Sequence, residues 1–499
     1  MKIYPRIIKL GLLHKIVAVA TVVTTLGAGV QANAQASGAT VPTDAAAPAA
    51  AATPSAKGLR NAAAAAAVQD KAKASGDTHG QTTTPTVPEV QAEVKPPSVG
   101  ANEASSLLEV FTKGHFSGDF RTIYFSSHNA FYSPGLNQDT ISYGGKLGFT
   151  TASLHGFSAG VSGFIQRGIN HSDNPSKVDG YLGPNLLAMG EAYLQYEGHG
   201  FKIVGGNQQL DVPFASTYDW RMAPQLFQGV SARYGDSNNF VQAFKMFRFK
   251  SYISNSFTRR TTYNSNFDSY SSVGNEETNG FWGVGAGHKW ALSPVTVSAQ
   301  GWFQTYQDYA KLTYVEAQVI RSDGLIKPFV GVQGFRETGD GRELTGNVNS
   351  EVFGGQFGIK RNSLTLSFGY NRIVPHSDSY LNGALVTPYA HNVSSGPLFA
   401  QPFLNSTQDL GAGNAYAIDL NGAPMGHWFI GARYSFMDLK SSATVASLNQ
   451  SEYLLYAIYN FTGKLKGLSI ANFVALQSSP AKPKKFIQNR LTIEYAFGG

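Results

Sequence analysis

From residue 111 to residue 499, large apolar side chains recur at every second position. Ile141, Tyr143, Gly145, Leu147 and Phe149 alternate with Ser142, Gly144, Lys146 and Gly148, and the same period runs through 191–197, 295–304, 364–370, 428–436 and 490–497. A period of two places successive side chains on opposite faces of a strand, with one face apolar and the other polar. Each run is about nine to eleven residues, the length of a tilted strand that crosses a bilayer and longer than the usual strand of a soluble sandwich.

The links between runs alternate as well. Eight are short, at 153–156, 198–200, 235–239, 292–294, 322–324, 361–363, 421–424 and 462–467. Nine are long and polar, at 126–140, 168–186, 208–225, 250–279, 305–310, 337–351, 372–412, 437–450 and 478–485. These connections imply eighteen strands with both ends of the body on one side. The weakest strand is 414–420, and without it the count falls to sixteen. Short turns on one side and long loops on the other are the pattern of a large transmembrane antiparallel β-barrel, an all-β fold. An open sheet would leave edge N–H and C=O groups unpaired in lipid, so closure is expected.

Composition narrows the setting. Only 14% of the residues are charged, against roughly a quarter in soluble domains, and Gly (54) is abundant. There is no Cys, which excludes disulfides, Cys-ligated metals and a Cys nucleophile. Lys2, Arg6, Lys9 and Lys15 precede an apolar run over 16–30 and an Ala32-Asn33-Ala34 site, so residues 1–34 read as a secretory signal peptide. Its removal takes four positive charges from the formal +7 and leaves +3. Residues 35–110 are expected to be a disordered Ala/Pro-rich periplasmic spacer, because 35–104 hold no Phe, Tyr or Trp with which to bury surface. Residues 105–111 are expected to form a short helical turn, and 111–499 the barrel domain. Tyr143, Tyr196, Trp290, Trp428, Tyr434 and Phe497 suit interfacial girdles.

A barrel of sixteen to eighteen strands is wide enough for a water-filled lumen. Parity along the strands turns Asp119, Arg121, Lys146, Glu191, Arg233, Glu316, Arg433, Arg490 and Glu494 inward. Both signs are present, with one more cation than anion, which suits either a charged path that steers anionic or zwitterionic solutes or a generic polar lining that keeps the barrel hydrated. The loop at 208–225 carries fixed charges among aromatics, with Tyr218-Asp219-Trp220-Arg221 followed by Pro224-Gln225 and Phe227, and is suited to fold inward and narrow the pore. His376-Ser377-Asp378 and His391-Asn392-Val393-Ser394 place a base near a hydroxyl, but both lie in one polar loop. No His pair has the spacing of a metal helix, and Gly283-Val284-Gly285-Ala286-Gly287 lies in a strand with no helix after it. No enzyme activity, cofactor, metal or nucleic-acid partner is expected.

Several stretches resemble the OprD family of outer-membrane porins. Residues 111–126 (FTKGHFSGDFRTIYFS) resemble its first strand through Gly118, Arg121 and Tyr124. Residues 190–196 (GEAYLQY) and 220–229 (WRMAPQLFQG) resemble its fourth strand and third-loop segment through Arg221, Pro224, Gln225, Phe227 and Gly229. Residues 464–469 and 489–497 resemble its last short turn and closing strand. The resemblance implies eighteen strands, diffusion without energy coupling, and a third loop at the constriction. It also implies selection of carboxylate-bearing solutes by a row of basic wall residues. The Ala/Pro-rich tail and the Phe497-Gly498-Gly499 end depart from the family.

The chain is therefore read as a porin of a Gram-negative outer membrane, passing small hydrophilic solutes such as amino acids or small organic acids. Tyr218, Asp219, Arg221, Pro224, Gln225, Phe227 and Gly229 are the constriction candidates. Its partners are small solutes, outer-membrane lipid and the barrel-assembly machinery, with monomer and homotrimer both open. The rival readings are an adhesin acting through 250–279 and 372–412, and a barrel hydrolase using His376 or His391.

Overall fold

Each alternating run has one face that lipid can solvate and one that water can, so the runs pair edge to edge and curl until no edge is left. The computed structural model describes residues 103–217, 219–264, 273–390, 396–404, 411–440 and 449–498. The expectations for residues 1–34 and for 35–102 lie outside the described residues.

The strands are β1 (His115–His128), β2 (Gln138–Thr150), β3 (Phe157–Ile169), β4 (Leu186–Gly198), β5 (Phe201–Gln208), the two-residue β6 (Asp211–Val212) and β7 (Ala215–Ser216), β8 (Leu226–Gly235), β9 (Phe240–Lys250) and β10 (Phe281–Leu292). Then come β11 (Val295–Tyr306), β12 (Ala310–Arg321), β13 (Ile326–Gly339), β14 (Asn349–Arg361), β15 (Leu364–Ile373), β16 (Gly413–Met425), β17 (Trp428–Leu439), β18 (Gln450–Asn460), β19 (Leu468–Ser478) and β20 (Phe486–Phe497). All except the β6–β7 ribbon form one 18-stranded antiparallel sheet. Sequence neighbours pair throughout, and β20 closes on β1 with Arg121 opposite Glu494.

Large apolar side chains such as Phe116, Leu147, Leu194, Val330, Phe357 and Leu455 are exposed on the outer face. Aromatic pairs mark the short-turn rim: Phe116–Phe149 at 4.9 Å, Phe157–Tyr196 at 5.0 Å, Phe201–Tyr234 at 4.7 Å and Trp428–Tyr459 at 4.8 Å between ring centroids. Rings with an apolar body and a polar tip suit the boundary between lipid and water. At the short turn 236–239 the Asp236 carboxylate accepts the amides of Asn239 and Asn238, which holds it below the usual carboxylate range.

Two expectations change, and the eighteen-strand count holds. The link at 305–310 is not a long loop: β11 and β12 run to within three residues of each other, Gln307–Tyr309, because the alternation of Thr305-Tyr306 and Ala310-Lys311 continues the ladder. The turn placed at 421–424 falls at Gly426-His427, with β16 bulged between Gly422 and Met425. The weakest run, 414–420, is part of a 13-residue strand, so the count is eighteen. Before β1, a six-residue helix α1 (Leu107–Thr112) is capped by Ser106, whose Oγ accepts the Glu109 amide. The chain then passes to β1 through Gly114.

Candidate functional site

The inward faces of β4, β2, β1 and β20 carry charges of alternating sign. Register places Asp119 opposite Lys146 and Arg121 opposite Glu494. Lys146 Nζ lies 2.7 Å from Glu191 Oε2. Arg121 Nε lies 3.0 Å from Asp119 Oδ1, and its Nη2 lies 3.3 Å from Glu494 Oε1. Glu191 is aimed by a bulge: β3 and β4 shift register between Val161 and Gly163, and Ser162 Oγ both accepts the Glu191 amide and donates to its carboxylate. Cross-strand opposite charges support each other on one face of a sheet. The Arg121 and Asp119 side chains are largely buried, at 6% and 10% exposure, whereas Glu494 (27%) and Lys146 (21%) face the lumen more openly.

The loop 209–225 folds inward onto this wall. Arg121 donates from Nη1 and Nη2 to the two oxygens of Asp219, at 2.5 and 2.9 Å, and from Nη1 to the Arg221 carbonyl at 2.7 Å. A forked guanidinium–carboxylate pair fixes direction as well as distance. The Asp219 side chain retains 41% exposure, the largest among these charges. Arg221 itself is buried among aromatic rings, its guanidinium 4.6 Å from Tyr181, 5.0 Å from Phe125 and 5.8 Å from Tyr252. The other half of the loop, the β6–β7 ribbon, plugs the far side. Leu210, Val212, Phe214 and Ala215 pack against Phe227, Phe281, Tyr306, Tyr314 and Phe335 of the wall from β8 to β13, and Gln304 Nε2 donates to Pro213 O at 2.8 Å.

A second segment also turns inward, where an outer polar loop was expected. Within 374–412, Leu385, Val386, Tyr389 and Leu398 join the same apolar cluster. Inward wall side chains hold its backbone. Glu337 accepts the Val386 amide at 2.7 Å, Asn371 accepts Ala400 at 2.8 Å, and Glu452 accepts both Phe403 and Leu404. Arg433, paired with Asp419 at 2.6 Å, donates to the Gln401 carbonyl at 2.8 Å. A side chain at Gly369 would overlap the Phe399 carbonyl, so glycine there lets the segment lie against the wall.

The constriction candidates therefore divide. Asp219 reaches the lumen charges. Pro224, Gln225 and Phe227 are buried: Gln225 donates to the Ser216 carbonyl, and Phe227 packs between Phe249 and Phe281. Gly229 sits at the β8–β9 bulge. These four, with Arg221, are held where the loop meets the wall, and Asp219 is the candidate that stays exposed beside the lumen charges. Tyr218 lies outside the described residues. Of the inward charges, Arg490 stacks between Phe125 and Phe403, Glu316 accepts from Tyr314 on the apolar side, and Arg233 stands at the short-turn mouth beside Gln242. The sequence reading missed Asp419, Glu337 and Glu452, whose inward parity was visible although the segment they hold was not. His376 contacts Asn349 Nδ2 at 3.2 Å, and His391 and Ser394 lie outside the described residues.

The family model of the OprD outer membrane porins matches residues 201–498. No curated protein matches the chain. Among solved structures, a BenF-like porin from Pseudomonas fluorescens Pf-5 aligns with a TM-score of 0.65 at 13% identity, covering 78% of this chain and 100% of its own. OccK9 (OpdG) of Pseudomonas aeruginosa aligns at 0.64 with 16% identity, and OpdK of the same organism, solved with vanillate, at 0.63 with 15%; each covers 78% of this chain and 99% of its own. These likenesses are to the fold, a closed barrel. With the matched span covering more than half of its length, the chain belongs to the OprD family of outer-membrane porins.

Proposed function

We propose that the porin passes small zwitterionic, carboxylate-bearing solutes, amino acids foremost, down their gradient through a path along the β1–β4 and β20 wall. The observation that carries this reading is the company of Arg121: one guanidinium among three carboxylates, Asp119, Asp219 and Glu494, with Lys146 across the strand pair. A solute with one charge of each sign finds a partner for both, its ammonium near Asp219 or Glu494 and its carboxylate near Lys146. A solute of one sign meets repulsion as well as attraction. Fixed charges in a narrow, low-dielectric passage act more strongly than in open water. The solute that accompanies OpdK, vanillate, bears a carboxylate and so shares one half of this chemistry.

Liposome swelling tests the reading. Equal concentrations of an amino acid zwitterion, a sugar of similar size and a monovalent organic anion are compared. The zwitterion is expected to enter several-fold faster than either of the others, and Glu494→Gln with Asp219→Asn is expected to remove its advantage. Equal rates for all three in the wild-type barrel would refute charge selection of this kind.

A further inference from the structure

Outside the lumen, the chain reaches β1 through α1, and one face of that helix is bare. Leu107, Leu108 and Phe111 are 75%, 73% and 64% exposed. Helical spacing gathers the three on one side and puts Glu109 and Lys113 on the other, where they pair at 3.0 Å. One exposed leucine is ordinary on a protein surface, but half of a six-residue helix on one face is a patch. A helix this short does not persist in water on propensity alone, and here it is fastened. Ser106 Oγ accepts the Glu109 amide, and the Glu109 carboxylate accepts the Ser105 amide at 2.7 Å and its hydroxyl at 2.8 Å. The first short turn ties it to the barrel: the Ala152 amide donates to the Val110 carbonyl at 2.9 Å, and the Ala104 amide donates to the Ser153 carbonyl at 2.7 Å. The apolar face is therefore held in place with its large side chains turned away from the protein.

The patch continues the lipid-facing girdle. Tyr143, Leu147 and Phe149 share the outward parity of β2, and Phe149 packs on the exposed Phe116 of β1. Gly114 lies against that ring: a side chain there would come within 2.5 Å of Phe149 and 2.9 Å of the Thr150 carbonyl. The chain thus enters β1 past an outward ring, from the lipid side rather than across the lumen mouth. On the other side of the same turn, Phe157 meets Tyr196, a second pair of the girdle. Other covers fit less well. Residues 35–102 contain one Leu, Leu59, and no Ile, Met, Phe, Tyr or Trp, so they bring little apolar surface. A second copy would meet only three side chains, well short of the roughly 1,000 Å² that a specific protein interface buries.

We propose that α1 is an interfacial anchor whose partner is the phospholipid of the periplasmic leaflet. Leu107, Leu108 and Phe111 enter the boundary between head groups and acyl chains, and Glu109 and Lys113 stay in water, as an amphipathic helix lying on a membrane requires. The anchor moors the chain ahead of the barrel to the membrane beside β1 and β2, clear of the lumen mouth. It does not depend on which solutes the pore passes.

The chain has no Cys, so single thiols report on each face of the helix. Phe111→Cys and Lys113→Cys are labelled with a nitrobenzoxadiazole fluorophore, and each full chain is folded into vesicles of phosphatidylethanolamine and phosphatidylglycerol. A fraction of the lipid carries a nitroxide high on the acyl chain. The label at position 111 is expected to emit further to the blue than the label at 113 and to be quenched about twofold or more as strongly. Adding L107E/L108E to Phe111→Cys is expected to reduce its quenching to the level at 113. The helix lies outside the sheet, and heat-modifiability on a gel shows that each variant has kept its barrel. Water-like emission with equal quenching at 111 and 113 would overturn the anchor. Blue-shifted emission at 111 without quenching would assign the face to a protein cover, the preceding chain or a second copy, and would overturn it too. Quenching unchanged by L107E/L108E would show that the label enters the lipid without the helix face, which also refutes the proposal.

Discussion

The two sides of this lumen solve the same problem in opposite ways. From β8 to β15 the inward face is largely aromatic, and water is kept off it by chain: the ribbon at 210–216, with Leu385, Val386, Tyr389 and Leu398, covers Phe227, Phe281, Tyr306, Tyr314 and Phe335 until nearly all are lost from solvent. On β1–β4 and β20 the inward face is ionic, and the covering chain is held by charge, Arg121 gripping Asp219 and the Arg221 carbonyl. One loop, 209–225, belongs to both sides. Its first half is bound by area, roughly 25 cal/mol for each Å² of apolar surface removed from water, and its second half by direction. A loop fixed by packing on one side and by a forked ion pair on the other presents its remaining exposed carboxylate at a defined place. The apolar side is scaffold, and the ionic side is where the proposed solute path runs.

The largest expected effect comes from placing a charge in the scaffold. Phe214 is fully buried, and Phe214→Asp would leave an unpaired carboxylate among aromatic rings, at a cost of several kcal/mol. The ribbon is expected to leave the wall, with unitary conductance rising at least twofold while the barrel stays heat-modifiable on a gel. Next is Arg121→Gln, which leaves Asp119, Asp219 and Glu494 without their guanidinium. Hydrogen bonds to charged groups are worth about 1.5–3 kcal/mol each, so residues 219–221 are expected to loosen. The reversal potential in a salt gradient is expected to move toward cation selectivity, and no movement would remove Arg121 from the path.

A smaller effect is expected where β18 holds the second inward segment. Glu452→Gln replaces an acceptor of the Phe403 and Leu404 amides by a group that keeps only one acceptor oxygen, a loss of about 1–2 kcal/mol. Brief current interruptions are expected to become more frequent at unchanged ion selectivity. If selectivity changed instead, the scaffold and the path would not be separable as drawn. The smallest effect is at Glu109→Gln: it removes the exposed Glu109–Lys113 pair on α1, and the melting temperature is expected to stay within about 1 °C because such pairs contribute little.

Much of the barrel was legible because a strand with lipid on one side and water on the other has to alternate. Charges such as Asp119, Lys146 and Glu494 could be turned inward by counting from Phe116, Leu147 and Tyr495. Counting fails at irregularities. The Gly190-Glu191 bulge shifts parity within β4, and Gly426 rather than Gly422 makes a turn because β16 continues past its own bulge. The inward segments were less legible for a different reason. Leu385, Val386, Phe399 and Phe403 follow no period and sit among Gly, Pro and Asn, so they look like outer loop until the side chains that receive them are in place. Arg121 and Asp219 lie 98 positions apart, and nothing local ties one to the other. The third-loop pattern from Arg221 to Gly229 was recognisable, but it marks how the loop is anchored, and the residue that meets the lumen charges is its neighbour Asp219.

The division of the lumen is tested most directly by thiol accessibility, since the chain has no Cys of its own. Glu494→Cys on the ionic side and Tyr306→Cys on the apolar side are each exposed to a small, permanently charged thiosulfonate while single channels are recorded. The account predicts that the Glu494→Cys channel reacts within seconds, with a step in conductance and a shifted reversal potential. It also predicts that the Tyr306→Cys channel does not change over the same period. Rapid modification of Tyr306→Cys with an equal drop in current, or an inert Glu494→Cys, would place the water on the other side and contradict the account.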